Sequence, residues 1–326
     1  MVRACSVAAA LVLAMFAGSP GVQAETEARY AAKPVHILVG FSPGGAIDIV
    51  ARVVGQKLSE SLGQPVVIDN KLGASGSIAA EYVARAAPDG YTLLAGTSAS
   101  MVINPVVYPN LSYSAVRDFA AVSMLASWPF ILAADKTVPI TSVSELIAYV
   151  RAHPEKANIA GASASFQLAF ELLKAKTGAK LQYVTYKGSI DAIRAVVAGE
   201  VLATLVDAGT IAPQLKSGEV RGLAVLSPAR APRFPDLPSL RESGVDGVEV
   251  SGWGGLFAPA ATPPPVVTRL QDEVIRIMRL PEVTARLDGL SIDPVGNDAA
   301  TFAAMVAGDL KRWETVARDA DIRLAP

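Results

Sequence analysis

Histidine and cysteine are nearly absent: the 326 residues hold two histidines, His36 and His153, and one cysteine, Cys5. Cysteine-based metal and redox sites and the small secreted disulfide scaffolds are thereby excluded, so the fold has to rest on its core. An excess of one charge is lacking too, with 29 basic side chains against 30 acidic ones and a formal net charge of −1. That balance gives no electrostatic footprint for DNA or RNA, and nucleic acid is not an expected partner. Neither histidine stands where a catalytic base is wanted, since His36 lies in a strand-like run and His153 precedes Pro154 at a helix end. Serine hydrolysis is therefore not expected. The Gly-x-Gly-x-x-Gly turn, the phosphate loop ending in Gly-Lys-Ser/Thr and metal-ligand spacing are all missing, and no cofactor or metal is expected.

Long apolar runs are also lacking. Arg3 precedes an apolar stretch over residues 7–16, followed by Gly18, Ser19, Pro20 and Val22-Gln23-Ala24. This stretch is too short for a span of about 20 residues, and Val22-x-Ala24 has the small-residue cleavage pattern of a secretory signal. Residues 1–24 read as a signal peptide with the cut after Ala24, and Cys5 lies inside it without the context of a lipid-modified cysteine. No later stretch spans a bilayer, and the expected product is a soluble, thiol-free periplasmic protein starting at Glu25.

What is present is α/β alternation over a chain that is 51% apolar. The run 35–41 is broken by Ser42, Pro43, Gly44 and Gly45, after which Ile47, Val50, Ala51, Val54, Leu58 and Leu62 recur at helical spacing. Strands at 66–69 and 91–95 flank a helix at 78–86, which predicts a parallel βαβαβ sheet whose working edge is the strand C-termini. The pattern restarts after Trp128-Pro129, with a strand at 130–134 and a helix opened by the capping-box spacing Ser142 to Glu145. Further strands are expected at 158–161, 181–186, 201–207 and 222–226, with helices at 165–176, 189–198 and 211–216. A Pro- and Gly-rich segment at 228–265, carrying a strand-like run at 253–258, is expected to recross before helices at 264–278, 281–287 and 299–317. Two α/β lobes follow, one of residues 25–127 plus 252–326 and one of 128–251, with a ligand cleft between them.

Glycine- and hydroxyl-rich turns recur where strands give way to helices: Ser42 to Gly45; Gly96 to Ser100; Gly161 to Ser165; and Gly188-Ser189. Free N–H groups at helix N-termini hold a carboxylate without a salt bridge, and hydroxyls add donors. Ordinary βα turns use the same residues. Asp48 either caps its helix or reaches the ligand, and Asp207 either caps the next helix or accepts from an ammonium or hydroxyl group. Lys187 is either a cationic donor or a solvated lysine, while Trp253 and Phe166 are either cleft walls or packing.

Together the motifs resemble the Bug family, extracytoplasmic solute receptors of tripartite tricarboxylate transporters. The resemblance is carried by Lys33-Pro34-Val35, Phe41-Ser42-Pro43-Gly44-Gly45 with Asp48, Leu62-Gly63-Gln64-Pro65 and Ala87-Pro88-Asp89-Gly90-Tyr91. It continues through Asn104-Pro105, Arg117-Asp118-Phe119, Tyr186-Lys187-Gly188-Ser189, Phe234-Pro235-Asp236-Leu237-Pro238 and Gly254-Gly255-Leu256-Phe257-Ala258-Pro259, over nearly the whole mature chain. It implies a type II periplasmic binding protein fold that closes over a small organic acid: a di- or tricarboxylate, an acidic amino acid or an aromatic acid. It also implies a non-enzymatic, monomeric receptor, working with transporter membrane subunits or with a sensor kinase. An exported α/β hydrolase or isomerase using Asp48 or Asp207 is the rival from another class. Carried over by position, the ligand loops are Ser42, Pro43, Gly44, Gly45 and Asp48; Gly96, Thr97 and Ser98; Gly161, Ser163, Ser165 and Gln167; Tyr186, Lys187, Gly188 and Ser189; and Asp207. Two departures stand out. Ser42 replaces a common second proline, and Ser165-Phe166-Gln167-Leu168 replaces a longer, glycine-richer loop followed by histidine, which is expected to reshape the wall around the ligand's far end.

Overall fold

The structure is a computed structural model and describes residues 30–322 apart from 31 and 109; the expected signal peptide at 1–24 lies outside the described residues. Strand β1 (Val35–Val39) is a near-continuous apolar run because both its faces are covered. It pairs in parallel with β2 (Val66–Asn70) on one side and β3 (Thr92–Thr97) on the other. Helix α1 (Ala46–Leu62) buries Ile47, Val50, Val54 and Leu58 along one face and ends at Gly63, whose φ of 67° is the left-handed cap that glycine adopts without strain. Helix α2 (Ser77–Ala84) completes the expected βαβαβ unit. Beyond β3 a π-type turn, Ala99–Ile103, runs into the short helix α3 (Asn104–Val107).

The next strand is far longer than expected. β4 runs through Phe119–Asp135, not 130–134. Up to Pro129 it pairs antiparallel with β9 (Ser251–Pro259), and from Phe130 it pairs with β7 (Ala203–Asp207) and β8 (Val220–Val225). Proline has no N–H for a ladder, and Pro129 sits where one set of partners ends and the next begins. β5 (Asn158–Gly161) lies between β6 (Gln182–Thr185) and β7, parallel to both. The result is one curled sheet in two halves joined through β4.

Helix α4 (Val143–Ala152) opens as the capping spacing predicts, the Glu145 N–H donating to Ser142 Oγ. Helices α5 (Ala164–Thr177), α6 (Ser189–Val197) and α7 (Ala208–Ser217) follow β5, β6 and β7. After the segment rich in proline and glycine the chain recrosses as expected: β9 pairs with both β3 and β4. Helices α8 (Pro264–Met278), α9 (Pro281–Asp288) and α10 (Ala299–Asp319) close the chain, with β10 (Asp293–Pro294) added to β4. Trp253 is packing, not cleft wall: its ring meets Phe257 and Phe302 and its indole N–H donates to Asp309.

Candidate functional site

Helices α1, α5, α6 and α7, and the π-type turn, each follow the C-terminus of a strand, and their starts converge on one cavity. Nine of the sequence-predicted residues line it: Ser42, Gly45, Thr97, Ser98, Ser163, Ser165, Gly188, Ser189 and Asp207. Ala99 and Ala162, inside the turns read from the sequence, line it too; sequence reasoning missed Phe41, Ala46, Ile47, Trp128, Phe130 and Gly252, while Phe166, weighed as wall or packing, is a wall. Adjacency to the turns was the available signal for Phe41, Ala46 and Ile47. Trp128, Phe130 and Gly252 arrive through the pairing of β4 and β9 next to the crossover, which no local pattern announces.

The helix starts fall into two kinds. Helix α5 is capped by Ser163, whose Oγ accepts from the Phe166 N–H, and α7 by Asp207, which accepts from the Thr210 N–H at 3.1 Å and from the Thr210 hydroxyl. Helices α1 and α6 are capped by Gly45 and Gly188, with no side-chain acceptor at either start. Apart from the Asp191 N–H, which the Gly188 carbonyl accepts at 3.1 Å, their first-turn N–H groups have no acceptor within the helix. These two bare starts abut: Ser42 Oγ donates to the Lys187 carbonyl at 3.4 Å, and a Cβ on Gly188 would lie 2.7 Å from Ser42 Cβ and Oγ. Glycine at 188 is thus required by close approach of the two halves of the sheet. A second contact between the halves runs from the Ala164 N–H at the start of α5 to Ser75 Oγ at 3.0 Å. Ser75 and Ala74 have φ of 51° and 46°, and the turn that holds them is tied down by the Asn104 side-chain amide, which reaches both their carbonyls and Ser77 Oγ.

Two buried polar groups stand out in the cavity. The Ser165 hydroxyl, on a residue only 2% exposed, has no hydrogen-bond partner among the described residues. Asp207 is 4% exposed and accepts from Ser189 Oγ at 2.7 Å, so it caps α7 and lines the cavity at once.

The remaining expected residues lie elsewhere. Asp48 is buried outside the cavity, its carboxylate taking Arg52 Nε and Nη2 at 2.9 Å each, the Gly44 N–H at 2.9 Å and Asn70 Nδ2 at 2.8 Å. Burial pushes its pKa up, but the hydrogen bonds from Arg52, Gly44 and Asn70 outweigh that and hold it below the usual carboxylate range. It shapes the 42–45 turn. Pro43 is exposed, and Gly44, with φ of 87°, supplies the turn. Gly96 and Gly161 lie in strands where a Cβ would strike Phe257 and the Tyr183 ring respectively. Gln167, Tyr186 and Lys187 line a neighbouring, larger cavity with Tyr108, Tyr183 and Ser75, which adjoins the first through Phe41, Ala162 and Ser163.

Gly40-Phe41-Ser42-Pro43-Gly44 matches the G-x-S-x-G pattern of a hydrolase elbow and lies in the required strand–turn–helix setting. Chemistry does not follow, because Ser42 Oγ is bonded to a carbonyl and neither histidine lines the cavity. His36 meets Asp69, both half-exposed, and the His153 ring lies tilted against Tyr149. Among the described residues no cluster could hold a metal ion, and no helix is long and apolar enough to cross a membrane.

Comparison with known proteins identifies the family and the fold. Residues 50–322 match the tripartite tricarboxylate transporter family receptor. Protein BugT of Bordetella pertussis is 31% identical over 96% of this chain and 97% of its own length. The Rpa4515 protein of R. palustris, solved with adipate, superposes with a TM-score of 0.86 at 35% identity, covering 90% of this chain and 99% of that one. MatC from Rhodopseudomonas palustris, solved with bound malate, superposes with a TM-score of 0.83 at 34% identity, covering 87% and 99%. The fold is thus that of the bilobed periplasmic binding proteins, and the chain belongs to the tripartite tricarboxylate transporter receptors, the Bug family whose motifs its sequence carries.

Proposed function

We propose that this chain is a periplasmic receptor that captures a small organic carboxylate in the cavity and delivers it to the membrane subunits of a tripartite tricarboxylate transporter. One observation carries the reading: two helix starts without side-chain caps, at Gly45 and Gly188, abut in a cavity that also holds the unpartnered Ser165 hydroxyl. Unmet N–H groups with partial positive charge are what a carboxylate satisfies, and fixed donors in a buried site need no reorganisation to do so. The adipate and malate bound by the related proteins are acids of this chemical class.

In this reading Ser42, Gly45, Thr97, Ser98, Ser163, Ser165, Gly188, Ser189 and Asp207 contact the ligand, and Gln167, Tyr186 and Lys187 face its route of entry from the adjoining cavity. The lobes are residues 25–127 with 252–326 and residues 128–251, with β4 and β9 running between them. Residues 1–24 direct export, and the receptor works as a monomer. Ligand favours closure by the contacts it makes with both lobes at once. A thermal-shift screen of residues 25–326 against small carboxylates tests this, since a ligand that binds only the folded state raises the midpoint with its occupancy. A concentration-dependent rise with at least one acid, recovered unchanged afterwards, is expected. No rise with any acid in protein freed of bound ligand by unfolding and refolding, or conversion of the acid to a product, would overturn the reading.

A further inference from the structure

We infer that Ser75 is a latch between the two halves of the sheet, whose bond to the start of α5 breaks each time a ligand enters or leaves. The inference rests on the receptor reading and adds to it a residue that sets the rates of capture and release. Among the described residues, two side-chain hydrogen bonds join the halves beside the cavities. The one from the Ala164 N–H to Ser75 Oγ, at 3.0 Å, is the stronger, since Ser42 Oγ lies 3.4 Å from the Lys187 carbonyl, beyond the ordinary range for a hydroxyl donor.

Both partners in the stronger bond are held rigidly. Gly73, Ala74, Ser75 and Gly76 have φ of 129°, 46°, 51° and 86°, four residues in succession with positive φ, two of them not glycine. L-residues adopt that region at a cost and persist there where their surroundings hold them. The buried Asn104 amide does so from one side, and on the other Gly76 lies against Phe41, where an added Cβ would meet the ring at 3.1 Å. Across the gap, Tyr183 donates to the Ser163 carbonyl at 3.1 Å while Ser163 Oγ caps α5. The first cavity joins its larger neighbour between Phe41 on one side and Ala162 and Ser163 on the other. The bond from Ala164 to Ser75 therefore ties together the two strips of chain that must part to widen this passage. Neither Ser75 nor Ala164 lines the first cavity, so a ligand seated there does not compete for the bond. The latch opposes entry and exit alike.

That symmetry supplies the test. For residues 25–326 with adipate, malate, glutamate and benzoate as probes, exchange NMR of the ligand gives the release rate and calorimetry gives Kd, and their ratio gives the rate of entry. Ser75→Gly accepts the positive φ and lacks the hydroxyl. It is expected to raise both rates about 2–10-fold, the worth of one hydrogen bond, with Kd within about twofold of the parent's and the Tm moved by no more than a few degrees. Ser75→Asn tolerates the same backbone and carries a side-chain oxygen, and is expected to slow both rates again. Unchanged rates in Ser75→Gly, or faster release with Kd weakened in proportion, overturn the latch and leave the receptor reading standing. Rates in Ser75→Asn equal to those in Ser75→Gly overturn the hydrogen bond as the cause. A parent protein that binds none of the four acids overturns the latch and the receptor reading together.

Discussion

Ser165 and Asp48 show how differently two polar residues near the same turns are used. Burying a hydroxyl without a partner costs free energy that a bound oxygen can return. Ser165→Ala is therefore expected to leave the Tm of the ligand-free protein unchanged or slightly raised, while weakening ligand affinity roughly 3–10-fold by calorimetry. Asp48 spends its carboxylate on Arg52, Asn70 and Gly44 instead. Its pKa is depressed in the folded state, so its stabilisation is present above the ordinary carboxylate range and is lost as pH falls through the depressed value. Asp48→Asn is expected to cost about 1–3 kcal/mol at neutral pH, with the gap to the parent protein closing in acid; denaturant melts across pH check both the size and the sign. The sequence offered Asp48 and Asp207 as alike, each a carboxylate near a helix start. Which way a turn presents its side chains depends on neighbours such as Arg52, Asn70 and Ser189, and that is not written in local spacing.

At the scale of elements, the glycine caps of α1 and α6 matter more than their residue type suggests. A methyl group on Gly188 would press on Ser42 across the cavity, so Gly188→Ala is expected to hold the two starts apart. Ligand affinity should fall about tenfold while the Tm of the free protein moves by no more than a few degrees, as calorimetry and thermal melts will show. The βαβαβ unit from β1 to β3 was legible because glycine and proline punctuate each change of period, and the start of α4 was legible from Ser142 and Glu145. β4 was legible only in its second half. Its first half mixes small, polar and apolar residues, and proline at 129 reads as a break although the strand passes through it. Missing that crossover also hid Trp128, Phe130 and Gly252 as cavity wall, whereas Gly45, Ser98 and Ser189 were found from the turns alone.

Across the whole molecule, near-neutral charge and a cavity lining without cations belong together. Buried dipoles are screened less than exposed charges, so ligand affinity is expected to change by less than about threefold between low and high salt. A steep loss measured by calorimetry would mean that a cation such as Lys187 anchors the ligand. Strand β4 joins both halves of the sheet, and next to Pro129, where it changes partners, stands Trp128, one of three tryptophans in the chain. The other two, Trp253 and Trp313, are buried away from the cavity. Light emitted by an indole ring shifts with the polarity around it, so occupancy of the cavity is expected to change the protein's own emission, readable without a dye or label, and that change is expected to vanish in Trp128→Phe.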